Sequence, residues 1–302
     1  MFELIEFRDF DVQDTPHYLE YVRQCIQIPC ILSPFLHLAF KDEFQLRRGY
    51  EAGLCWIKGN YYGEDAHLVP AGDWTNTDWA DVFKMYVPAG TRFLFVPSYA
   101  VDLWRRQLGS SIVVENTPPS DWDYVLYLDR LENFTGKKFQ SFRRKCRAFE
   151  NEYDYSTEDI TPQIFSELRD FHEEAEKNLR KRHGDSASVD IDNNTFYKVL
   201  EYWEKLGNFS GFVVRVDGKI AAYQIDEIID ETYSIGLLGK ADYSYKGVNQ
   251  FAYWYGAKSS IERGVLIQNV MEDDGDENLR MFKKHLDPIV LLKQYHVTYL
   301  PE

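Results

Sequence analysis

Basic residues are scarce in this chain relative to acidic ones. Lysine and arginine together number 34, aspartate and glutamate number 49, and the 302 residues carry a formal net charge of -15. A protein that coats nucleic acid without sequence preference needs a basic surface to neutralise phosphates, so the composition excludes that class. The surplus of acid suits a cationic partner or simple solubility, and composition does not choose between the two.

Long apolar runs are also absent. The sequence has no stretch of about 18 consecutive apolar residues, so it predicts no transmembrane helix. The first residues, Met1-Phe2-Glu3, lack the basic-then-apolar layout of a signal peptide. We therefore expect a cytoplasmic protein.

Cysteines are few and show no pattern. Cys25, Cys30, Cys55 and Cys146 include no CxxC pair and have no histidine-rich partner segment, so we expect buried thiols and no metal site. The spacing of the other residues reveals no Ser-His-Asp or Cys-His arrangement. A covalent enzyme intermediate therefore has no support.

The residues that are present describe a globular protein with two cores. The composition is 44% hydrophobic and 27% charged, and domains of about 150 residues are the norm for a chain of this length. Asp123 to Leu128 alternates as a strand that ends the first half. We predict domains over 1–130 and 131–302, each with a sheet and flanking helices.

The segment from Gly211 to Gly264 has the clearest pattern. Alternating apolar residues predict three antiparallel strands, with Asp217-Gly218 supplying the first hairpin turn. From Val248 the apolar spacing becomes helical, and the helix is predicted to stop at Arg263-Gly264. A short apolar run, a second helix and a closing apolar segment over 289–300 follow. The order β-β-β-α-β-α-β indicates an α+β fold with a mostly antiparallel mixed sheet.

Several other elements have local signals. Asp14-Thr15-Pro16 predicts a helix start, and capped helices are expected over 73–83, 161–182 and 196–206. The polar residues 184–193 predict a loop before the last of these helices.

The stretch from Gly136 to Glu152 is a basic segment on an acidic protein. It contains no acid between Gly136 and Phe149, and its apolar face is made by phenylalanines and Cys146. Lys137, Lys138 and Arg143 are therefore candidates for binding a phosphate-bearing substrate. The alternative is a solvated helix face that pairs with nearby carboxylates.

Two signatures resemble one protein family. The run Leu131-Glu-Asn-Phe-Thr-Gly136-Lys137-Lys138, followed by Arg143 and Phe149, is similar to the first signature of the C-terminal domain of phosphatidylglycerol lysyltransferases and their soluble relatives. The second signature is matched by Asn269, Asp273, Gly275, Leu279, Arg280, Lys283 and Pro288. The resemblance implies two tandem GNAT-like acyltransferase domains, similar to the Fem-type enzymes. It also implies transfer of an aminoacyl group from aminoacyl-tRNA to an amine or hydroxyl acceptor, such as a lipid headgroup, a peptide or a small molecule.

The same resemblance, together with residue chemistry, suggests the site residues. Asp273 could hold the donor's ammonium group or accept a proton, or it could simply cap a helix. Asn269 is a further candidate for binding the substrate or an anion. Arg280 and Lys283 could clamp a phosphate or carboxylate, or pair with the helix dipole.

The donor remains open between two classes. Lys246 precedes a helix at the point where acyl-CoA-dependent relatives bind pyrophosphate, but a single glycine, Gly247, disfavours coenzyme A there. Lys246 and the N-terminus of this helix could still bind a terminal phosphate. We expect aminoacyl-tRNA as donor and no cofactor. The alternatives are an acyl-CoA-dependent N-acyltransferase and a non-catalytic ligand-binding protein. The sequence does not determine the oligomeric state.

Overall fold

The chain folds into two compact units. The computed structural model describes residues 4–61, 63–183 and 187–301. The first unit comprises the chain up to Asp123 and again from Leu291 onward, and the second comprises Tyr124 to Val290. The sequence had placed the division at residue 130 and assigned everything after it to the second domain. The structure differs because the chain returns to the first unit at its end.

The first unit begins with short helices and a mixed sheet. Its helices are α1 (Thr15–Val22), α2 (Pro34–Phe40), α3 (Trp79–Tyr86) and α4 (Ser98–Leu108). Its strands before the division are β1 (Arg47–Glu51), β2 (Leu54–Tyr61), β3 (Glu64–Leu68), β4 (Ala71–Gly72), β5 (Arg92–Pro97) and β6 (Ile112–Asn116). Helix α3 starts six residues later than predicted, because the Asp73 carboxylate accepts hydrogen bonds from the backbone of Thr75 and Asn76 and closes a turn instead.

The second unit has a larger sheet with helices on its faces. Its strands are β7 (Asp123–Tyr127), β8 (Tyr155–Asp159), β9 (Phe209–Val216), β10 (Lys219–Ile228), β11 (Tyr233–Ala241), β12 (Ile267–Asn269) and β13 (Val290–Leu292). Its helices are α5 (Leu128–Asn133), α6 (Gln140–Glu152), α7 (Phe165–His183), α8 (Ala187–Leu206), α9 (Val248–Glu262) and α10 (Glu277–His285). The order of the sheet is β13-β7-β12-β11-β10-β9-β8, and the pair β11–β12 is parallel.

The last strand, β14 (Gln294–Tyr299), lies in the first sheet. It is antiparallel to both β5 and β6, in the order β1-β2-β3-β5-β14-β6, with β4 beside β2. The predicted closing segment over 289–300 is therefore two strands in two different sheets.

The predicted order of elements in the second unit is confirmed from β9 to α10. The start of α8 is the main exception, because the helix already includes Ala187 and thus replaces most of the predicted loop. Residues 184–186 of that loop lie outside the described part of the chain. The four cysteines are buried thiols, as predicted. No helix among the described residues is both long and apolar enough to cross a membrane.

Candidate active site

A gap in the central sheet of the second unit is the first feature of the site. Strands β11 and β12 run parallel, but they pair only from Tyr233–Ile267 to Ile235–Asn269. Within the described residues, no strand pairs with this edge of β11 from Gly236 onward. Strand β11 also has a β-bulge here. Ile225 and Asp226 of β10 pair with Leu238 and Gly236, so Leu237 is one extra residue in β11. The strands thus diverge and leave backbone groups of β11 available to a ligand.

A carboxylate lies at the closed end of this gap. Asp226 is opposite Gly236 in the antiparallel register of β10 and β11. One of its oxygens lies 3.5 Å from the point where a side chain would begin at Gly236, and Nε2 of Gln268 in β12 lies 3.6 Å from the same point. The bare glycine therefore lets Asp226 and Gln268 meet across β11.

The surroundings of Asp226 favour its protonated form. Burial raises the pKa of Asp226 to about 7, although a hydrogen bond with Gln268 and the positive charge of Arg263 both act to lower it. The residue as a whole is half-buried. A carboxyl group of this pKa can take and release a proton near neutral pH.

Aromatic side chains border the same region. Burial raises the pKa of Tyr253 in α9, and the nearby Tyr243 and Asp226 raise it further. The Tyr253 ring packs edge-on against Phe282 of α10 at 4.9 Å between centroids. Tyr243, just after β11, is 59% exposed. The gap is therefore apolar on the side of the two helices and open near Tyr243.

The second signature builds the loop after β12. The Asp273 carboxylate is fully buried and accepts hydrogen bonds from Arg280 Nε at 3.0 Å, Arg280 Nη2 at 2.8 Å, Tyr124 Oη at 2.7 Å and the Gly275 N–H at 3.1 Å. Burial by itself would raise the pKa of Asp273, but the hydrogen bonds from Arg280 and Tyr124 bring it below its usual value. The helix cap of α10 is Asp276 instead.

Lys283 and Asn269 hold the same loop from inside. The Lys283 ammonium group is buried and donates to the carbonyl oxygens of Val270, at 2.6 Å, and Glu272. The Asn269 side chain is fully buried and accepts a hydrogen bond from the Met271 N–H at 2.8 Å. The structure thus brings Asn269, Asp273, Arg280 and Lys283 together as a framework around the end of β12.

The first signature shapes the turn between α5 and α6. Arg143 is half-buried and donates to the carbonyl oxygens of Phe134 and Gly136. Lys138 is exposed and forms an ion pair of 2.6 Å with Asp287. Lys137 is exposed at the start of the basic segment.

The start of α9 lies against α6. A side chain at Gly247, the residue before α9, would overlap the carbonyl oxygen of Lys145. The Lys246 N–H is hydrogen-bonded to Tyr153 Oη at 3.2 Å, and its side chain is exposed. The helix terminus where phosphates were expected is therefore partly covered by α6.

A group of exposed cations accompanies these elements, and we call it the basic cluster: Lys137, Arg144, Lys145, Arg147 and Lys246. Within the described residues, none of them has a carboxylate within 4.0 Å. They are consequently available to an anionic ligand.

The sequence did not single out Asp226, Gln268 or Tyr124. Asp226 lies between the apolar residues of β10 together with Gln224 and Glu227, and this polar group in a strand was the available signal. Its neighbours come from β12 and α9, which are far away in sequence, so the spacing of residues does not reveal them.

Comparisons with known proteins agree with this fold. The family model described as phosphatidylglycerol lysyltransferase, C-terminal, matches residues 116–297. No curated protein matches the chain significantly.

Solved structures cover nearly the whole chain. A conserved protein of unknown function from Bacteroides thetaiotaomicron VPI-5482 is 22% identical, with a TM-score of 0.86 over 98% of this chain and 99% of that chain. FemX is 11% identical, with a TM-score of 0.65 over 98% of each chain. The C-terminal domain of a putative lysylphosphatidylglycerol synthetase from Agrobacterium fabrum is 12% identical, with a TM-score of 0.61 over 94% of this chain and 92% of that chain. These likenesses confirm the predicted α+β class, and the fold is similar to that of FemX over nearly the whole chain.

Proposed function

Since the chain belongs to the phosphatidylglycerol lysyltransferase C-terminal family, a family of acyltransferases, we propose that it transfers an aminoacyl group from aminoacyl-tRNA to an amine or hydroxyl acceptor. The observation that carries this proposal is the gap between β11 and β12, with Asp226 and Gln268 at its closed end. An acyl group in such a gap would meet hydrogen-bonding groups of the backbone and a proton acceptor together.

The proposed reaction is a direct attack on the ester. The nitrogen or oxygen of the acceptor forms a bond to the ester carbonyl carbon, and Asp226 takes the proton that the acceptor loses. The Gln268 amide and free N–H groups of β11 would stabilise the negative charge on the carbonyl oxygen. The bond to the ribose oxygen then breaks, and Asp226 returns the proton to that oxygen.

Asp273 has a different role in this proposal. Its carboxylate already receives four hydrogen bonds and its pKa is low, so accepting a proton would break the pair with Arg280. We therefore assign Asp273, Arg280 and Lys283 to positioning the loop that follows β12. Asn269 supports the first residues of that loop.

The basic cluster supports a donor that carries many phosphates. Lys137 and Lys246 retain the anion-binding role expected from the sequence, and Arg144, Lys145 and Arg147 join them. Lys138 and Arg143 contribute by fixing the turn before α6. Coenzyme A has less support, because α6 covers the backbone at Gly247 where its pyrophosphate would bind.

The decisive assay measures transfer of radiolabelled amino acids from a mixed pool of charged tRNAs. Label should move into the lipid, peptide or small-molecule fraction of a cell extract and thereby identify the acceptor class. If label stays on tRNA while an acyl-CoA supports transfer, the acyl-CoA alternative replaces this proposal. Ligand binding without turnover from either donor would favour the non-catalytic alternative.

The variant Asp226→Asn tests the proton acceptor. We expect a rate about 10² to 10⁴ times lower, whereas Glu231→Gln, an exposed control in the turn after β10, should keep the wild-type rate. The wild-type rate should fall about tenfold per pH unit below pH 7. An active wild type together with an equally active Asp226→Asn variant would refute the assignment of Asp226 but not the transfer reaction.

Stability gives an independent readout of the same variant. Because the pKa of Asp226 is raised in the folded state, its contribution to stability is complete below pH 4 and is lost as the pH rises towards 7. The free energy of unfolding of Asp226→Asn at pH 8 should therefore exceed that of the wild type, by at most about 4 kcal/mol.

A further inference from the structure

Arg48 is a buried cation in the first unit, far along the chain from the proposed reaction site. The residue, in β1, is 1% exposed. The rings of Phe10 and Tyr18 each have their centroid 3.8 Å from its Cζ atom, and Nη2 lies 3.0 Å from His37 Nδ1. Cation–π contacts stabilise the charge but do not neutralise it.

The other two nitrogens of Arg48 lack partners. Nε and Nη1 are buried and have no hydrogen-bond partner among the described residues. No described carboxylate lies within 4.0 Å of the guanidinium, and Asp14 acts on it from a greater distance. Burial lowers the pKa of Arg48, yet a guanidinium in a protein does not lose its proton. A buried charge of this kind calls for a counter-charge.

Two buried hydroxyl groups, one on α1, the helix that carries Tyr18, and one on β1, the strand of Arg48, are also poorly satisfied. Thr15 Oγ1 is buried without a hydrogen-bond partner in the described part of the chain, and Tyr50 Oη, also buried, has only the Cys55 thiol as a side-chain partner among the described residues. Tyr50 is two residues after Arg48 on β1, so both side chains lie on one face of the sheet. Tyr50 is also paired across β1 and β2 with Cys55, whose thiol is a weak hydrogen-bonding group. The charge of Arg48 acts on both Tyr50 and Cys55.

We infer that the first unit binds a small monovalent anion, a halide or a carboxylate group, against Arg48 with Thr15 and Tyr50 as further donors. One negative charge balances the one buried cation, whereas a dianion would leave a net charge in the interior. Between the proposed site and the surface, the Tyr50 ring lies 4.6 Å from that of His17 and 5.3 Å from that of Tyr21. His17 is exposed and Tyr21 half-buried.

The test measures thermal unfolding of the full chain in sodium chloride and in sodium formate, with gluconate, an anion too large for a buried site, keeping the ionic strength constant. The melting temperature should rise by about 5 °C or more at an anion concentration of roughly 100 times Kd. A response to chloride and formate identifies a general monovalent site, and a response to formate alone identifies a carboxylate site.

Three variants separate the site from general salt effects. Arg48→Met should abolish the anion response. Tyr50→Phe should weaken the response, and this variant tests the site independently if Arg48→Met does not fold. Arg215→Met is the matched control, because Arg215 is a guanidinium already paired with Glu158 and Glu167, and its variant should respond like the wild type.

Diffraction from crystals soaked in bromide gives direct evidence. An anomalous peak beside the Arg48 guanidinium is expected, and formate should displace it. A wild type that shows no anion response, or a response that Arg48→Met and Tyr50→Phe both retain in full, would overturn the inference.

Discussion

At Asp273, two side chains and a backbone N–H group direct four hydrogen bonds onto one fully buried carboxylate. Burial disfavours the charged form, but the hydrogen bonds from Arg280 and Tyr124 outweigh it and keep the pKa low. The group is therefore ionised throughout the physiological range. Asp273 therefore holds the loop in place through its hydrogen bonds and does not act as a proton acceptor, since a proton acceptor must have a pKa close to the working pH.

Removing the charge at Asp273 should weaken the fold. We expect Asp273→Asn to lower the free energy of unfolding by about 2–4 kcal/mol at pH 7, because Arg280 loses its buried partner. The contribution of Asp273 is present above the ordinary aspartate pKa and is lost as the pH falls through its lower folded value. Chemical denaturation at pH 7 measures the difference.

Asp170→Asn provides the control for this experiment, since Asp170 is an exposed aspartate of α7 in the same unit. Its unfolding should stay close to that of the wild type. If Asp273→Asn is equally stable but inactive, then Asp273 acts on the substrate directly and the anchoring role is wrong.

Among the helices, α7 and α8 are fixed to the sheet by buried polar contacts. The His172 ring in α7 stacks on Phe196 of α8 at 3.8 Å, and its Nδ1 lies 2.7 Å from Tyr223 Oη of β10. Burial lowers the pKa of His172 to about 4, so the ring is neutral. Lys240 of β11 pairs with Glu176 of α7 at 3.0 Å. These contacts support β10 and β11 on the face opposite to α9.

The contact between α6 and α9 depends on a missing side chain. Gly247 has φ of +87°, and a methyl group there would strike the Lys145 carbonyl. Gly218, in the β9–β10 turn, has φ of +79° with open space around it. A substitution at Gly218 therefore measures the cost of the backbone conformation alone, whereas one at Gly247 adds the cost of the steric clash.

We expect Gly218→Ala to lower the free energy of unfolding by about 1 kcal/mol, and Gly247→Ala to lower it by about 3 kcal/mol or more, because only the second change also displaces a helix. Thermal or chemical denaturation of both variants measures the difference. Equal effects would mean that α6 moves away from α9 without cost, and coenzyme A would then regain support as a donor.

Taken as a whole, the molecule carries a net charge of -15, which disfavours non-specific binding of nucleic acid. The basic cluster is a local exception, and binding of tRNA through it should depend steeply on salt. Each phosphate contact contributes about 0.7–0.9 to the slope of log K against log salt concentration. Removing Arg144 and Arg147 together should lower this slope by about 1–2.

The double variant Arg105→Ala and Arg106→Ala is the matched control. These two arginines lie in the last turn of α4 in the first unit, where a positive charge interacts favourably with the helix dipole. This double variant should keep the wild-type slope in a filter-binding titration. An unchanged slope for the α6 variant would exclude the basic cluster as the tRNA contact.

The sequence by itself determined the order of elements from β9 to α10, because alternation, helical spacing and turn residues are local properties. It also determined the family, since both signatures are continuous stretches. It did not determine the division of the chain, because β14 pairs with β5 and β6 across nearly the whole sequence.

The tertiary structure alone decided how the candidate residues are used. Asp273 and Lys283 follow the signature but turn inward, since the carbonyl groups and side chains around the end of β12 need buried partners. Asp226 and Arg48 drew no attention in sequence, because burial and the neighbours of a charged group are set by distant segments of the chain. The sequence therefore determined the fold and the family, and packing determined which charges are available for chemistry.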